Sequence, residues 1–366
     1  MCFRSAAVKA AQGANHIGDP KVKVLYFITE DWFFCSHFIE RAIAARAAGN
    51  EVVVLTRVGE SANIIEEVGI RVLPLAIQRR SFNPLREISV IYSVWKAYRR
   101  EKPDLVHHVA LKPILYGTLA ARVSGVRAIV NAPVGMGFIF SSRTFLANLL
   151  RPIVKIALRS MLNPLGSKVV FENSDDINWA ISADLVKRDS AILIRGAGVN
   201  LEQFSPIAKP DGIPLILARF VLVGGVDTGN PTSIPEEQLL TWGKQGLVDW
   251  WGHRKDMASV LGQADIACLP SYREGLPKSL LEAAACGLPI VTTNVPGCRE
   301  VVVDGVQGFL VPARDSRALA DALIKLIVDP ELRLRMGAAA RVRAEKEFGK
   351  DAVIDQTLEL YRVIAP

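Results

Sequence analysis

Long apolar segments are missing from this 366-residue chain. No stretch of about 18 or more residues is both apolar and free of charge, so the sequence predicts no membrane-spanning helix. Residues 1–20 also lack the apolar core that a signal peptide needs. We expect residues 1–20 to form a disordered leader.

Cysteine is scarce, and its spacing is not that of a metal site. Three of the cysteines lie among apolar or glycine-rich residues in the stretch 268–298, and no Asp-x-Asp motif follows a predicted strand. We therefore predict reduced cytoplasmic thiols and no bound metal. The cysteines are Cys2, Cys35, Cys268, Cys286 and Cys298.

Two further absences exclude common ligands. The first predicted strand is not followed by Gly-x-Gly-x-x-Gly, which argues against a nicotinamide or flavin dinucleotide. No recognition motif and no interleaving of aromatic and basic residues supports nucleic-acid binding. Residues 1–200 nevertheless carry 26 Lys and Arg against 16 Asp and Glu, whereas the remainder carries 18 against 21. This asymmetry favours an acidic surface as partner of the first half, and anionic lipid fits better than nucleic acid.

Strand and helix patterns alternate along the chain. Val22–Ile28 is a nearly continuous apolar strand, Phe38–Ala48 a helix and Glu51–Thr56 the next strand, with a loop predicted over Thr29–Phe34. Such alternation is typical of a doubly wound parallel sheet. The length allows two domains of ordinary size. We therefore predict an α/β chain with two Rossmann-like domains.

One stretch, residues 274–282, carries the strongest signal for a ligand site. A short apolar strand is predicted over 265–269, a helix over 279–286 and a second strand over 288–293. Pro277 suits the first turn of that helix. Backbone N–H groups of Gly275 and Leu276 then lie at the helix N-terminus beside Lys278, which favours an anionic ligand.

Two carboxylates flank this predicted anion site. Glu274 lies in the loop and Glu282 about one turn inside the helix. Carboxylates accept paired hydrogen bonds from sugar diols, so this layout suits a ligand with a diphosphate between two hydroxyl-rich groups, as in a nucleotide-sugar. A capped, solvated helix with two incidental glutamates is the alternative for such a spacing.

The wider sequence resembles a known family. EGLPKSLLEAAACGLPIVTTNVPGCREVVVDGVQGFLVP is similar to the signature of the retaining GT-B glycosyltransferases of family 4, and the likeness covers nearly all of residues 21–364. HHVALKPILYG and VGMGFIFSS resemble transferases that build capsular and other surface polysaccharides on polyprenyl-diphosphate carriers. The resemblance implies metal-free transfer of a sugar, with retention, from a UDP-sugar to a lipid-linked saccharide. No cofactor is expected, since the UDP-sugar is a substrate.

The resemblance also implies roles for individual residues. Glu274 is expected to hold the donor sugar as a catalytic residue and Glu282 the ribose, while Arg254 lies near the nucleotide base. His108 ends a predicted strand near the cleft, where a catalytic role and a polar strand terminus are both open. The expected phosphate-binding residues are Gly275, Leu276, Lys278 and Gly297, and Pro277 is expected to belong to the same donor-binding loop. The expected acceptor-side residues are Lys112, Gly135 and Gly137.

A basic amphipathic helix is predicted over residues 143–162. Arg151, Lys155 and Arg159 repeat every four residues on one face. Such a helix can lie among anionic lipid headgroups, although an ordinary helix with its apolar face in the core has the same pattern. A polyprenyl-linked acceptor favours the membrane, so we predict a peripheral protein on the inner face of the cytoplasmic membrane.

The family pattern breaks at residues 214–225. PLILARFVLVGG runs the opening strand of the second domain directly into a later strand, and we predict that it forms a single strand. A complete βαβ unit takes about 30 residues, so roughly one βα unit is missing, together with the family's phosphate-binding Arg and Lys. Arg219 is the only nearby cation that could replace them. Their loss should cost several kcal/mol of transition-state stabilisation.

These observations predict four segments: a leader over 1–20, an acceptor-side domain over 21–198, a nucleotide-sugar domain over 199–345 and a helix crossing back over 346–366. The predicted activity is that of a glycosyltransferase in surface polysaccharide biosynthesis. Two alternatives stay open: a catalytically impaired or non-catalytic remnant, because of the missing unit, and a GT-B sugar-nucleotide epimerase, which would need no acceptor.

Overall fold

A computed structural model of the chain describes residues 22–78, 83–134, 158–207, 218–227 and 233–365. Strands and helices alternate through both halves of the described chain. Every described strand pair is parallel. The predicted α/β class is therefore confirmed.

The first half forms a seven-stranded parallel sheet in the order β3-β2-β1-β4-β5-β6-β7. The strand order reverses between β1 and β4, and the carboxyl ends of strands at such a point form a crevice where ligands bind in open α/β sheets. The strands are β1 (Lys23–Glu30), β2 (Glu51–Arg57), β3 (Arg71–Pro74), β4 (Leu105–Val109), β5 (Ala128–Ala132), β6 (Lys168–Phe171) and β7 (Ala191–Leu193).

Helices cover both faces of this sheet. Val24, Tyr26 and Ile28 of β1 pack on one face, whereas Leu25 and Phe27 pack in a second core on the other. This alternation explains why β1 reads as a continuous apolar run. The helices are α1 (Asp31–His37), α2 (Ile39–Ala47), α3 (Ala62–Glu67), α4 (Pro84–Glu101), α5 (Leu111–Ser124) and α6 (Ser174–Ser182).

The loop predicted over residues 29–34 is wrong, because α1 begins directly after β1. The Asp31 carboxylate accepts hydrogen bonds from the backbone N–H groups of Gly59 (2.6 Å) and Ser61 (3.2 Å). A carboxylate in the first turn also interacts favourably with the helix dipole. These tertiary partners, about 30 residues away in sequence, stabilise a helix start that local sequence did not indicate.

The described strands of the second half form two separate sheets. One contains β8 (Val221–Leu222) and β9 (Asp249–Trp250); the other has the order β10-β11-β12 and contains β10 (Ala267–Leu269), β11 (Ile290–Thr293) and β12 (Gly308–Val311). The helices are α7 (Glu236–Lys244), α8 (Met257–Gln263), α9 (Lys278–Ala285), α10 (Cys298–Val301), α11 (Ser316–Val328), α12 (Pro330–Arg343) and α13 (Lys350–Ile364).

The single strand predicted over residues 214–225 is wrong in its described part, where only Val221 and Leu222 are paired. Both side chains are exposed, so this strand lacks the cover that normally buries a parallel sheet on both faces. Among the described strands, β8 pairs only with β9 and β10 only with β11. The pairing is thus interrupted where the sequence predicts a missing unit.

The last helix, α13, packs on the first domain. Val353, Leu360 and Tyr361 belong to the core that contains β1 and α2. The Tyr361 hydroxyl donates a hydrogen bond to the Tyr26 hydroxyl (2.7 Å), and lies 2.6 Å from Nδ1 of His107 on β4. The end of the chain therefore ties the second domain to the first-domain sheet.

Candidate active site

The loop between β10 and α9 brings the two predicted carboxylates to one end of α9. Pro277 is the N-cap of the helix, which begins at Lys278. Glu282 lies one turn further along and is only 8% exposed. The Lys278 ammonium lies 3.7 Å from the Glu282 carboxylate. Along the chain, the Lys278 ammonium and the α9 N-terminus thus lie between Glu274 in the loop and Glu282 in the helix.

Both carboxylates are partly withdrawn from water. Burial raises the pKa of Glu274, although the Ser271 hydroxyl donates a hydrogen bond to it. Burial also raises the pKa of Glu282, and Lys278 opposes this shift. Because hydrogen bonds to charged groups are stronger where water is excluded, both side chains are suited to accept ligand hydroxyl groups.

A second loop, before α10, lies directly against the first. Gly297 has a positive φ of 79°, and a Cβ atom built on it would collide with the carbonyl oxygen of Gly275 and lie 2.8 Å from that of Glu274. Only glycine allows the two backbones to approach this closely. The structure thus brings Gly297 together with Glu274 and Gly275, as the resemblance implies.

The first domain contacts this loop through α1 and the crossing between the domains. The Lys278 ammonium donates a hydrogen bond to the carbonyl oxygen of Ser36 (3.2 Å). Leu276 is buried against Gly196, where a Cβ atom would lie 3.0 Å from its side chain. The buried Arg41 guanidinium donates to the Gly196 carbonyl oxygen. The candidate site is therefore built between the two domains.

Residues at the start of α6 bind the same loop, and the sequence did not indicate them. The Asn173 amide donates a hydrogen bond to the Gly275 carbonyl oxygen (2.8 Å), and its own carbonyl oxygen accepts the N–H of Asp176 (2.8 Å). Asp176 also pairs with Arg273, and the Ser174 hydroxyl donates to Glu300. The polar run after β6 was the available signal, but its partners lie about 100 residues away.

Glu172 is a further carboxyl group at this contact. A Cβ atom on Gly275 would collide with its Oε2, so its side chain lies against the site loop. Burial raises the pKa of Glu172 to about 7, while the nearby Arg41 lowers it and Asp176 and Glu274 raise it. This side chain thus changes charge close to neutral pH.

Replacing Glu172 with glutamine should change how stability depends on pH. Between about pH 4.5 and about pH 7, the Glu172 carboxyl keeps its proton in the folded protein but loses it in the unfolded chain. The contribution of the protonated Glu172 to folding stability is therefore complete below pH 4.5 and is lost as the pH rises to 7. Because glutamine stays neutral, the stability of Glu172→Gln relative to the natural protein should rise over this window by up to about 3 kcal/mol. Urea unfolding of both proteins at pH 5 and pH 7.5 measures the change. An unchanged difference between the two pH values would contradict the assignment.

The position of His108 differs from the prediction. Its side chain is fully buried, with Nε2 3.0 Å from the Tyr98 hydroxyl and Nδ1 2.8 Å from Oδ1 of Asn131. Its ring also lies against Gly117 of α5. Burial lowers the pKa of His108 to about 4. The catalytic interpretation is therefore corrected to the structural alternative, because β4 is an interior strand and directs this side chain into the core.

Three predicted cations have local partners. Lys112 lies 3.0 Å from Glu87 and donates a hydrogen bond to the Gln78 carbonyl oxygen. Arg219 pairs with Asp249 on the neighbouring strand β9. Arg254 lies 2.6 Å from Asp256. Binding a phosphate or base through these residues would require them to exchange these partners.

Some predicted residues lie outside the described chain: Gly135, Gly137, Arg151 and Lys155. The described part of the predicted basic helix, residues 158–162, is helical, and Arg159 pairs there with Asp184. Within the described residues, no cluster of three or more His, Cys, Asp and Glu side chains could hold a metal ion. None of the described helices is long and apolar enough to cross a membrane.

Family models match both halves of the chain. A model described as glycosyl transferase 4-like matches residues 23–163, and one described as glycosyl transferases group 1 matches residues 194–329. The first range contains strands β1 to β5 of the first-domain sheet, and the second contains the loop from Glu274 to α9 together with Gly297.

Two bacterial relatives align with most of the chain. It is 27% identical over 353 residues to N,N'-diacetylbacillosaminyl-diphospho-undecaprenol alpha-1,3-N-acetylgalactosaminyltransferase of Campylobacter jejuni, covering 86% of this chain and 92% of the relative. It is 23% identical over 322 residues to UDP-Gal:alpha-D-GlcNAc-diphosphoundecaprenol alpha-1,3-galactosyltransferase of Escherichia coli, covering 77% and 81%.

Solved structures support the architecture. Sucrose-phosphate synthase from Thermosynechococcus elongatus superposes with a TM-score of 0.75 at 19% identity, covering 94% of this chain and 99% of that one. Anabaena HepE in complex with UDP and glucose superposes with a TM-score of 0.71 at 18% identity, covering 93% and 100%. Together with the family matches and the geometry of the site loop, these likenesses show that the chain belongs to the family 4 (group 1) glycosyltransferases of GT-B fold.

Proposed function

We propose that this glycosyltransferase moves a hexose or N-acetylhexosamine, with retention, from a UDP-sugar to a lipid-linked saccharide in surface polysaccharide biosynthesis. The observation that carries the proposal is the pair Glu274 and Glu282 on either side of Lys278 and the α9 N-terminus. The names of the Campylobacter and Escherichia relatives, which both contain an undecaprenol-linked sugar, support the acceptor class.

In the proposed complex, Glu282 accepts hydrogen bonds from the ribose hydroxyl groups and Glu274 from those of the sugar. The N–H groups of Gly275 and Leu276, with Lys278 and Gly297, face the diphosphate. Arg219 would join the diphosphate and Arg254 would contact the nucleotide base, each by exchanging its carboxylate partner. No metal or cofactor is proposed, because the helix N-terminus and Lys278 supply the positive field that the diphosphate needs.

The proposed reaction takes place on one face of the sugar. The bond from C1 to the phosphate oxygen breaks while the acceptor hydroxyl forms its bond to C1 from the same side. The proton of that hydroxyl passes to the departing phosphate oxygen. Lys278 and the loop N–H groups stabilise the charge that develops on the diphosphate, and electrostatic stabilisation of this kind is usually the largest single contribution to catalysis.

A non-catalytic remnant is the second candidate. The described strands of the second domain do not form one sheet, and Arg219 is paired with Asp249. Both observations favour a weakened phosphate site.

We also propose that the transferase works at the inner face of the cytoplasmic membrane, where a lipid-linked acceptor is available.

Calorimetric titration with UDP tests the site directly. We expect binding in the micromolar range that Glu282→Ala weakens about 10- to 100-fold, because hydrogen bonds to a charged group contribute about 1.5–3 kcal/mol. Glu66→Ala, which removes an exposed carboxylate from α3, is the matched control and should bind like the natural protein. No binding by a folded sample would favour the remnant instead.

A further inference from the structure

A polar contact joins the first domain to the two loops of the candidate site. The Asn173 amide, at the start of α6, donates a hydrogen bond to the Gly275 carbonyl oxygen (2.8 Å). The guanidinium of Arg195, which follows β7, lies 3.0 Å from the Glu300 carboxylate on α10. These paired groups hold the site loop in a defined position against the first domain.

Glu172 lies inside this contact. It directly follows β6, at the carboxyl edge of the first-domain sheet, where ligands bind in open α/β sheets. A Cβ atom built on Gly275 would collide with Oε2 of Glu172, so the carboxyl group packs against the backbone of the site loop. A small cavity beside it is lined by Gly275 on the second-domain side and by Pro133 and Val134 on the first-domain side. The Glu172 carboxyl group therefore faces a space between the domains rather than bulk water.

The charged groups around Glu172 come from three elements. Arg41 on α2 attracts the ionised carboxylate, whereas Asp176 on α6 and Glu274 in the site loop repel it. Burial has the largest effect, and together with the two carboxylates it outweighs Arg41 and raises the pKa of Glu172 to about 7. The side chain is thus neutral below pH 7 and negatively charged above it.

A negative charge at this position acts against an anionic ligand. The N–H groups of Gly275 and Leu276 and the Lys278 ammonium are proposed to face the diphosphate, and the Glu172 carboxyl group lies against the Gly275 backbone. Charges that are buried or partly buried are screened much less by salt than exposed ones. The ionised side chain should therefore repel the diphosphate, whereas the neutral side chain only packs against the loop.

We propose that Glu172 is a positioning residue of the donor site: its neutral carboxyl group holds the site loop for an anionic donor, and its ionised form weakens donor binding. The inference rests on the proposed function, because the ligand is the diphosphate of the UDP-sugar. By linkage, a donor that binds better to the neutral form must in turn raise the proton affinity of Glu172. Binding of UDP near neutral pH should therefore be accompanied by proton uptake at this side chain.

Calorimetric titration with UDP at pH 6 and pH 8 tests the effect of the charge. Because the terminal phosphate of UDP also titrates in this range, the natural protein is compared with Glu172→Gln at each pH. We expect nearly equal affinities at pH 6 and about three- to tenfold weaker binding by the natural protein at pH 8, where a like charge faces the ligand. Glu66→Gln, which neutralises an exposed carboxylate on α3, is the matched control and should behave like the natural protein at both pH values.

Two further measurements separate the charge from the packing. Titrations in buffers of low and high ionisation enthalpy give the number of protons taken up when UDP binds. At pH 7.5 the natural protein should take up about 0.3 to 0.5 protons more than Glu172→Gln, a difference that packing alone would not produce. Glu172→Ala removes the contact with Gly275 as well as the charge, so it should bind UDP more weakly than Glu172→Gln at both pH 6 and pH 8.

The outcomes distinguish this inference from the proposed function. If the ratio of the two UDP affinities is the same at pH 6 and pH 8 and proton uptake is equal, the charge of Glu172 does not act on the donor site. The inference is then overturned while the transferase proposal stands. If Glu172→Ala binds UDP as tightly as Glu172→Gln, the positioning role is overturned. Absence of UDP binding by the natural protein at both pH values would overturn the transferase proposal, and this inference with it.

Discussion

Replacing Glu274 with glutamine should slow sugar transfer about 100- to 1,000-fold and leave UDP affinity nearly unchanged. The Glu274 carboxylate lies in the site loop, where burial raises its pKa and Ser271 already donates one hydrogen bond. Its remaining lone pairs can accept a sugar diol. Glutamine keeps the shape but loses the charge and exchanges one acceptor for a donor. The lost hydrogen bonds are those to the sugar, which UDP does not contain.

The reciprocal variant is the control for this result. Glu282→Gln should weaken UDP binding, because Glu282 lies on α9 beside Lys278, where the ribose is proposed to bind. Measuring turnover with a UDP-sugar and calorimetric UDP affinity for both variants separates the two roles. If Glu274→Gln turns over at the natural rate, the carboxylate does not hold the reacting sugar. If both variants lose UDP binding equally, the two glutamates cannot be assigned to separate parts of the donor.

The charge of Glu274 also predicts the direction of a pH effect. Since burial raises the pKa of Glu274, its ionised carboxylate, which accepts hydrogen bonds, is protonated at a higher pH than that of an exposed glutamate. The rate of sugar transfer should therefore decrease as the pH is lowered. The residual activity of Glu274→Gln should not show this decrease. A pH profile of kcat/KM measures both.

The loop from Glu274 to α9 could be predicted because its determinants are local. A proline at the helix start, a glycine after its end and short apolar strands on both sides define a βαβ unit within about 30 residues. The structure begins α9 at Lys278 and ends it at Ala285, one residue earlier at each end than predicted. The packing of Gly297 on this loop followed from the family resemblance rather than from local pattern.

Contacts across the domain boundary could not be predicted in this way. Asn173 and Gly275 are 102 residues apart, and Ser174 and Glu300 are 126 apart. A run of polar residues after a strand does not predict which distant loop these residues will contact. His108 illustrates the converse, because a histidine at a strand end suggested the cleft, whereas the strand lies between two neighbours and the side chain faces the core.

The second domain departs from the sequence prediction at its break. The family resemblance predicts that a unit is missing there and that residues 214–225 form one continuous strand. The described pairing is instead divided into a two-stranded and a three-stranded sheet. Parallel neighbours need a crossover of about a dozen residues, so a shortened connection cannot keep every strand in the sheet. Tertiary packing determines which strand is excluded from the sheet, and the local sequence pattern does not predict that packing.

Replacing Gly297 with alanine should abolish most of the transfer activity without unfolding the protein. The new Cβ atom would collide with the Gly275 carbonyl oxygen and lie 2.8 Å from that of Glu274, so the site loop has to move. A displacement of about 1 Å at reacting groups can cost about 100-fold in rate. The positive φ of 79° adds about 1–2 kcal/mol of strain to the folded state. UDP affinity should fall as well, because the same loop supplies the proposed phosphate contacts.

Gly305→Ala separates the collision from the strain. Gly305 has nearly the same φ, 76°, but a Cβ atom there would have no neighbour within 4 Å. The backbone strain should therefore lower the stability of both variants by about 1–2 kcal/mol in urea unfolding, whereas the collision should lower stability further, together with turnover and UDP affinity, only in Gly297→Ala. Equal turnover in the two variants would mean that the approach of the two loops is not needed for the reaction. A loss confined to Gly297→Ala would instead show that the site depends on the contact between the α9 and α10 loops, which the divided second-domain sheet leaves intact.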